Sequence, residues 1–137
     1  MKGHLLDTNV VSELRKGDRC NKGVRDWFAD TDSEAIYLSV LVIGELRRGV
    51  ERIRRRDSMA AQRLEAWLKR LKSQYRHRIL PVNEEIAELW GGLGLSQPVP
   101  PIDGLLAATA LYHDLTLVTR NTDDVSRTPA RVFDPFA

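Results

Sequence analysis

Short apolar runs alternate along the chain with segments in which apolar residues return at helical spacing, and this alternation limits the folds open to it. Residues 4–6 and 35–38 read as strands, and Val24, Trp27 and Phe28 mark a short helix between them. From Val40 onward, Leu41, Ile43, Leu46, Val50 and Ile53 keep the spacing of a second helix. A third runs from about Ser58, a good N-cap, through Leu64, Trp67, Leu68 and Leu71 to about Gln74. Residues 79–82 give another strand, and Asn83 caps a helix carrying Ile86, Leu89, Trp90 and Leu93, closed by Gly91, Gly92 and Gly94. After the loop "QPVPP", an Ala- and Leu-rich helix covers about 102–112, "LTLVTRN" gives a strand ending at Thr119, and "RVFDPF" supplies a last edge strand. Parallel neighbours need a crossover, and crossovers are usually helical. The alternation therefore predicts a single α/β domain over residues 1–137: three layers, α/β/α, with a central parallel sheet of four to five strands.

A chain of 137 residues can bury one sizeable core. Its single cysteine, Cys20, excludes an internal disulfide framework. Asp7 interrupts any leader-like apolar run, and no stretch approaches the roughly 20 apolar residues of a membrane span. The expectation is a cytoplasmic protein with no membrane partner. Charge is uneven: residues 47–78 hold twelve Lys or Arg against Glu51, Asp57 and Glu65, a local net of +9 in a chain whose total is +2. The rest of the chain is thus acidic by −7. A block of this kind attracts polyanions, although a solvated helix face accounts for the composition equally well.

The acids outside that block are the candidates for chemistry. In open parallel sheets ligands gather beyond the carboxyl ends of the strands, which is where Asp7 and Thr119 fall. Asp7 also suits a plain N-cap role, with Thr8 or Asn9 alongside. Glu45 lies in an otherwise apolar helical turn and needs a partner, for which Arg48, Arg52 or solvent would serve. Asp103 opens a helix and can act through its dipole, while Asn121, Asp123 and Asp124 make a ready turn. Four separate explanations are needed if the acids are apart, and one if they meet. Converging carboxylates repel by on the order of 4 kcal/mol per pair near 4 Å at an effective dielectric of 20. A divalent cation relieves that conflict, and a donor set without His or Cys favours Mg²⁺ or Mn²⁺ over Zn²⁺. Such ions activate water and polarise phosphodiesters.

Four stretches in order, "LLDTNVVSEL", "SVLVIGELRRGV", "IDGLLAATAL" and "LTLVTRNT", resemble those of the PIN-domain ribonucleases, in particular the VapC toxins and their FitB-like relatives. The closing "VFDPF" is similar to the ending of FitB-like members. The resemblance implies an α/β/α fold whose acidic pocket binds Mg²⁺ or Mn²⁺ and cleaves RNA, transfer RNA being a candidate substrate. It implies Asp7 and Asp103 as the principal metal ligands, with Glu45 as a third acid acting directly or through water. Thr8, Asn9 and Ser12 match the first motif as polar support, and Thr119 holds the fourth strand's end near the pocket. FitB-like members can place an acid where this chain has Asn121; many VapC sequences carry Asn there with an acid two or three residues later, the place of Asp123 and Asp124. The resemblance also implies a homodimer held inactive by a small VapB-type antitoxin, for whose helix the apolar helices of residues 40–74 offer a groove. Arg47, Arg48 and Arg52 are then candidates to grip the RNA backbone. His4, His77, His113 and Cys20 have no evident part.

Other classes remain to be weighed. A binding module on the same fold would keep the acids for structure, and Asn121 is its best support. An aspartyl phosphatase would commonly place a second acid two residues after the first, but position 9 is Asn. Structure-specific DNA nucleases of the same superfamily are typically larger and richer in acids.

Overall fold

The computed structural model describes residues 3–136. Five short strands, β1 (His4–Leu6), β2 (Ile36–Ser39), β3 (Ile79–Leu80), β4 (Thr116–Val118) and β5 (Val132–Phe133), form one sheet in the order β3-β2-β1-β4-β5. Every pairing is parallel, with Leu5 in register with Tyr37 on one side and Leu117 on the other. Seven helices flank the sheet: α1 (Thr8–Leu14), α2 (Lys22–Asp30), α3 (Val40–Arg54), α4 (Ser58–Gln74), α5 (Glu84–Gly91), α6 (Pro101–His113) and α7 (Thr122–Val125). The α/β class and the parallel sheet expected from the alternation are the ones observed, with five strands.

The central strands are covered on both faces, which is why their apolar residues run consecutively and do not alternate with polar ones. Leu5, Ile36, Leu38 and Leu117 are fully buried, and Val10, Val24, Val42, Val50, Leu68 and Leu106 close over them from the helices. Several boundaries differ from the sequence reading, each for a local reason. β2 begins at Ile36 because Ala35 belongs to a 3-10 turn, whose N-cap is Asp32. β3 stops at Leu80, ahead of Pro81, which has no N–H to give the ladder. The cap of α4 is Asp57, whose side chain accepts the Ala60 N–H at 3.0 Å, so Ser58 is the first helical residue and not the cap. α5 ends at Gly91, short of Leu93.

Topology sets the place of chemistry. From β1 the chain steps outward through β2 to β3, then returns across the sheet to β4 and continues to β5. Strand order therefore reverses between β1 and β4, and sheets of this kind have their ligand crevice beyond the carboxyl ends at such a point. Asp7 directly follows β1, and its N–H donates to the Val118 carbonyl of β4 at 2.9 Å.

Leu117 lies at the centre of this arrangement. Leu117→Ala is expected to lower unfolding free energy by about 3 kcal/mol in urea titration, since its fully buried site has little freedom to collapse.

Candidate active site

Asp7 is only 4% exposed, and its two oxygens have different work. Oδ1 accepts the Thr8 N–H at 2.7 Å and so caps α1. Oδ2 accepts the Thr119 hydroxyl at 2.7 Å and, more weakly, the Asn9 amide at 3.4 Å. The capping role and a role at the strand ends are thus both realised. Burial pushes the Asp7 carboxyl above its usual range; the bonds from Thr119 and Thr8 pull the other way, and the charge of Glu45 adds to the rise.

Thr119 and Asn9 carry the network across the β1/β4 boundary. The Thr119 oxygen accepts the Asn121 N–H at 2.9 Å and the Asn9 amide at 3.3 Å, while the Asn9 carbonyl accepts the Arg120 N–H at 3.2 Å. On the other side, the Thr8 hydroxyl donates to Glu45 Oε1 at 2.5 Å, tying α1 to α3. Neither Arg48 nor Arg52 forms an ion pair with Glu45 among the described residues, so the partner of Glu45 is Thr8. No local spacing signals a bond between residues 37 positions apart. Ser12 lies half-buried further along α1, without a hydrogen bond to this network among the described residues.

Asp103 lies in the first turn of α6, after the Pro100 cap. A carboxylate that merely complements a helix N-terminus is held low, but Asp103 is pushed up to about 6. Desolvation is the main cause, followed by repulsion from Asp7, Asp124 and Glu45. Three acids from other parts of the chain therefore bear on Asp103. Of the two turn acids, Asp124 is the one that bears on Asp103, while Asn121 joins through its main-chain N–H. Among the described residues no three carboxylate, imidazole or thiol side chains are grouped so that they could hold a metal ion. Mg²⁺ does not require three, since one or two carboxylates with water complete its coordination. The oxygen-only set with mutual repulsion fits such an ion.

The basic block divides. Arg47 bonds Glu51 at 3.1 Å and Glu65 at 2.9 Å, and Arg54 bonds the same two acids, so this pair clamps α3 to α4. Arg48 and Arg52 instead line a groove with Val40, Leu41, Glu45 and Ile102, beside the acids. His4 begins β1 and His113 ends α6, each at the end of its element away from the acid. Cys20 is buried, and burial raises its thiol.

The PIN domain family model matches residues 4–130. Toxin FitB of Neisseria gonorrhoeae (strain ATCC 700825 / FA 1090) is 32% identical over 139 residues, covering 96% of this chain and 97% of that protein. VapC ribonuclease Y4jK of Sinorhizobium fredii (strain NBRC 101917 / NGR234) is 27% identical over 139 residues, covering 96% of each. The crystal structure of FitAcB from Neisseria gonorrhoeae superposes with a TM-score of 0.88 at 31% identity, over 96% of this chain and 97% of that one. The chain belongs to the PIN-domain family, and within it to the VapC and FitB toxins of toxin–antitoxin systems.

The raised Asp103 carboxyl has a measurable consequence. Its folded-state value, about 6, lies above the ordinary 3.8, so the native protein holds the proton more tightly and loses stability as pH climbs through that window. With chelator present, Asp103→Asn should match wild type near pH 4 and exceed it above pH 7 by on the order of 1 kcal/mol, the full shift being reduced by solvent screening. Thermal unfolding across pH reads this directly; equal curves at both ends would contradict it.

Proposed function

We propose that the protein is a Mg²⁺- or Mn²⁺-dependent endoribonuclease, the toxin of a type II toxin–antitoxin pair. The observation that carries this reading is that Asp103, raised mainly by desolvation, also feels the charges of Asp7, Asp124 and Glu45, and that buried Asp7 feels Glu45, beyond the carboxyl ends of β1 and β4. The relative from Sinorhizobium fredii is named a ribonuclease, and the one from Neisseria gonorrhoeae a toxin.

Asp7 and Asp103 would hold the ion, with Glu45 joining directly or through water and Asp124 adding charge at the rim. When bound, the ion supplies Lewis acidity toward an RNA phosphodiester and activates water, so that hydrolysis needs no covalent intermediate. The chain's own part is positioning. Thr119 and Asn9 fix the Asp7 carboxylate, Thr8 fixes Glu45, and the Asn121 N–H keeps the Thr119 hydroxyl oriented toward Asp7. Arg48 and Arg52 draw the RNA backbone into the groove beside the acids. Arg47, committed to Glu51 and Glu65, has no place in this grip.

Two further surfaces suit the partners of a toxin. A cavity of about 190 Å³ lined by Leu14, Phe28, Trp67, Leu71 and Tyr75 would receive an apolar anchor side chain from an antitoxin helix. Its walls come from α1, α2 and α4 with Leu6 of β1 and Leu38 of β2, and none from α3, so it is a different surface from the groove expected between the helices of residues 40–74. Leu89, Trp90 and Tyr112, each more than a third exposed on α5 and α6, suit the contact of a homodimer.

The test is cleavage of total RNA and transfer RNA by the purified chain with Mg²⁺ or Mn²⁺, and with chelator. Metal-dependent cutting is expected, reduced to the chelator baseline in Asp7→Asn and lowered roughly tenfold to a hundredfold in Thr119→Val, which keeps shape but loses the bond to Asp7. Cutting that survives in Asp7→Asn would overturn the assignment.

A further inference from the structure

Arg120 is exposed, yet its side chain is not free to wander. Its guanidinium carbon lies 3.8 Å from the centre of the Phe136 ring. Phe136 is itself fixed: it packs against the core, follows buried Pro135, and donates its N–H to Asp134 at 2.9 Å. The main chain of Arg120 is held from the other side by the Asn9 carbonyl, the same side chain that reaches Asp7. Arg120 thus stands between Thr119 and Asn121 with both ends anchored.

Its charge is not committed within the protein. Arg47, Arg54, Arg78 and Arg131 each bond a carboxylate, whereas Arg120 forms no ion pair among the described residues. Glu13 is near enough to feel it, but the Glu13 oxygens already accept the Asn21 N–H at 2.7 Å and Lys16 at 3.0 Å. A guanidinium stacked on a ring keeps its in-plane N–H donors pointing outward, in the forked geometry that suits phosphate.

The crevice needs such a group on this flank. Four acids repel the backbone of any nucleic acid that approaches, and Arg48 and Arg52 offset this only on the β2 side. Arg120 and Phe136 stand on the β4–β5 side. We propose that Arg120, held in place by Phe136, is a second phosphate clamp, so that an RNA strand crosses the acids between it and the Arg48/Arg52 groove. This rests on the ribonuclease reading above and adds the path of the substrate.

Binding of single-stranded oligo-U and oligo-A is measured across a salt series with chelator present, which separates binding from cleavage. Arg120→Ala is expected to bind roughly tenfold more weakly on both homopolymers, because a phosphate contact carries no sequence information. The slope of log affinity against log salt should flatten by about 0.7. Arg120→Lys, which also serves if Arg120→Ala does not fold, should keep the wild-type slope with weaker binding, and Phe136→Leu should do the same. Wild-type affinity and slope in Arg120→Ala, with reduced thermal stability, would make the pair a mere anchor of the last strand and overturn the proposal. So would a loss confined to one homopolymer. A flat salt dependence in the wild type would remove the RNA reading itself, and this inference with it.

Discussion

A carboxylate buried where strand order reverses is the constraint on which the rest of the site depends. Asp7 is almost wholly buried, so in the protein alone its favourable contacts come chiefly from the chain. Those contacts come from the start of α1, from Asn9 and from Thr119, and between them they stitch β1 to β4 beyond the last ladder bond. A sheet built in a different order would leave Asp7 without Thr119, and an unpaired buried charge would be hard to sustain. The fold and the crevice are in this sense one arrangement.

Opposing that order is repulsion. Asp103 arrives on α6, and Asp7 beyond β1, Glu45 on α3 and Asp124 on α7 each add to the rise that desolvation gives its carboxyl. Hydrogen bonds orient Asp7 and Glu45 without neutralising them. The arginines of the α3–α4 clamp are occupied by Glu51 and Glu65, and no basic side chain pairs with the pocket acids among the described residues. Stability is given up where Asp103 is desolvated among like charges and recovered in the apolar core on the two faces of the sheet.

Much of this was legible in the sequence where physics is local. The alternation of apolar runs with helical spacing yielded the parallel α/β class, and a strand ending on "DTN" placed Asp7 correctly beyond β1. Asn83 was readable as a cap because an Asx side chain accepts three residues ahead. What escaped was tertiary. Thr8 as the partner of Glu45, and Glu65 as the partner of Arg47, span 37 and 18 positions, and no spacing rule reaches so far. The basic block looked uniform, but folding turned Arg47 toward α4 and set Arg48 and Arg52 in a groove with Glu45. Arg120 carried no signal, since its importance lies in the ring that the chain's end lays against it.

The claim that the clustered acids exist to hold a divalent cation is tested most directly by thermal unfolding against Mn²⁺ concentration at fixed ionic strength. A ligand bound only by the folded state stabilises it by about 2.7 kcal/mol at a hundred times its dissociation constant. The account predicts a melting temperature that climbs with Mn²⁺ in the wild type and stays nearly level in Asp7→Asn. A level curve in the wild type, or the same climb in both proteins, would contradict it.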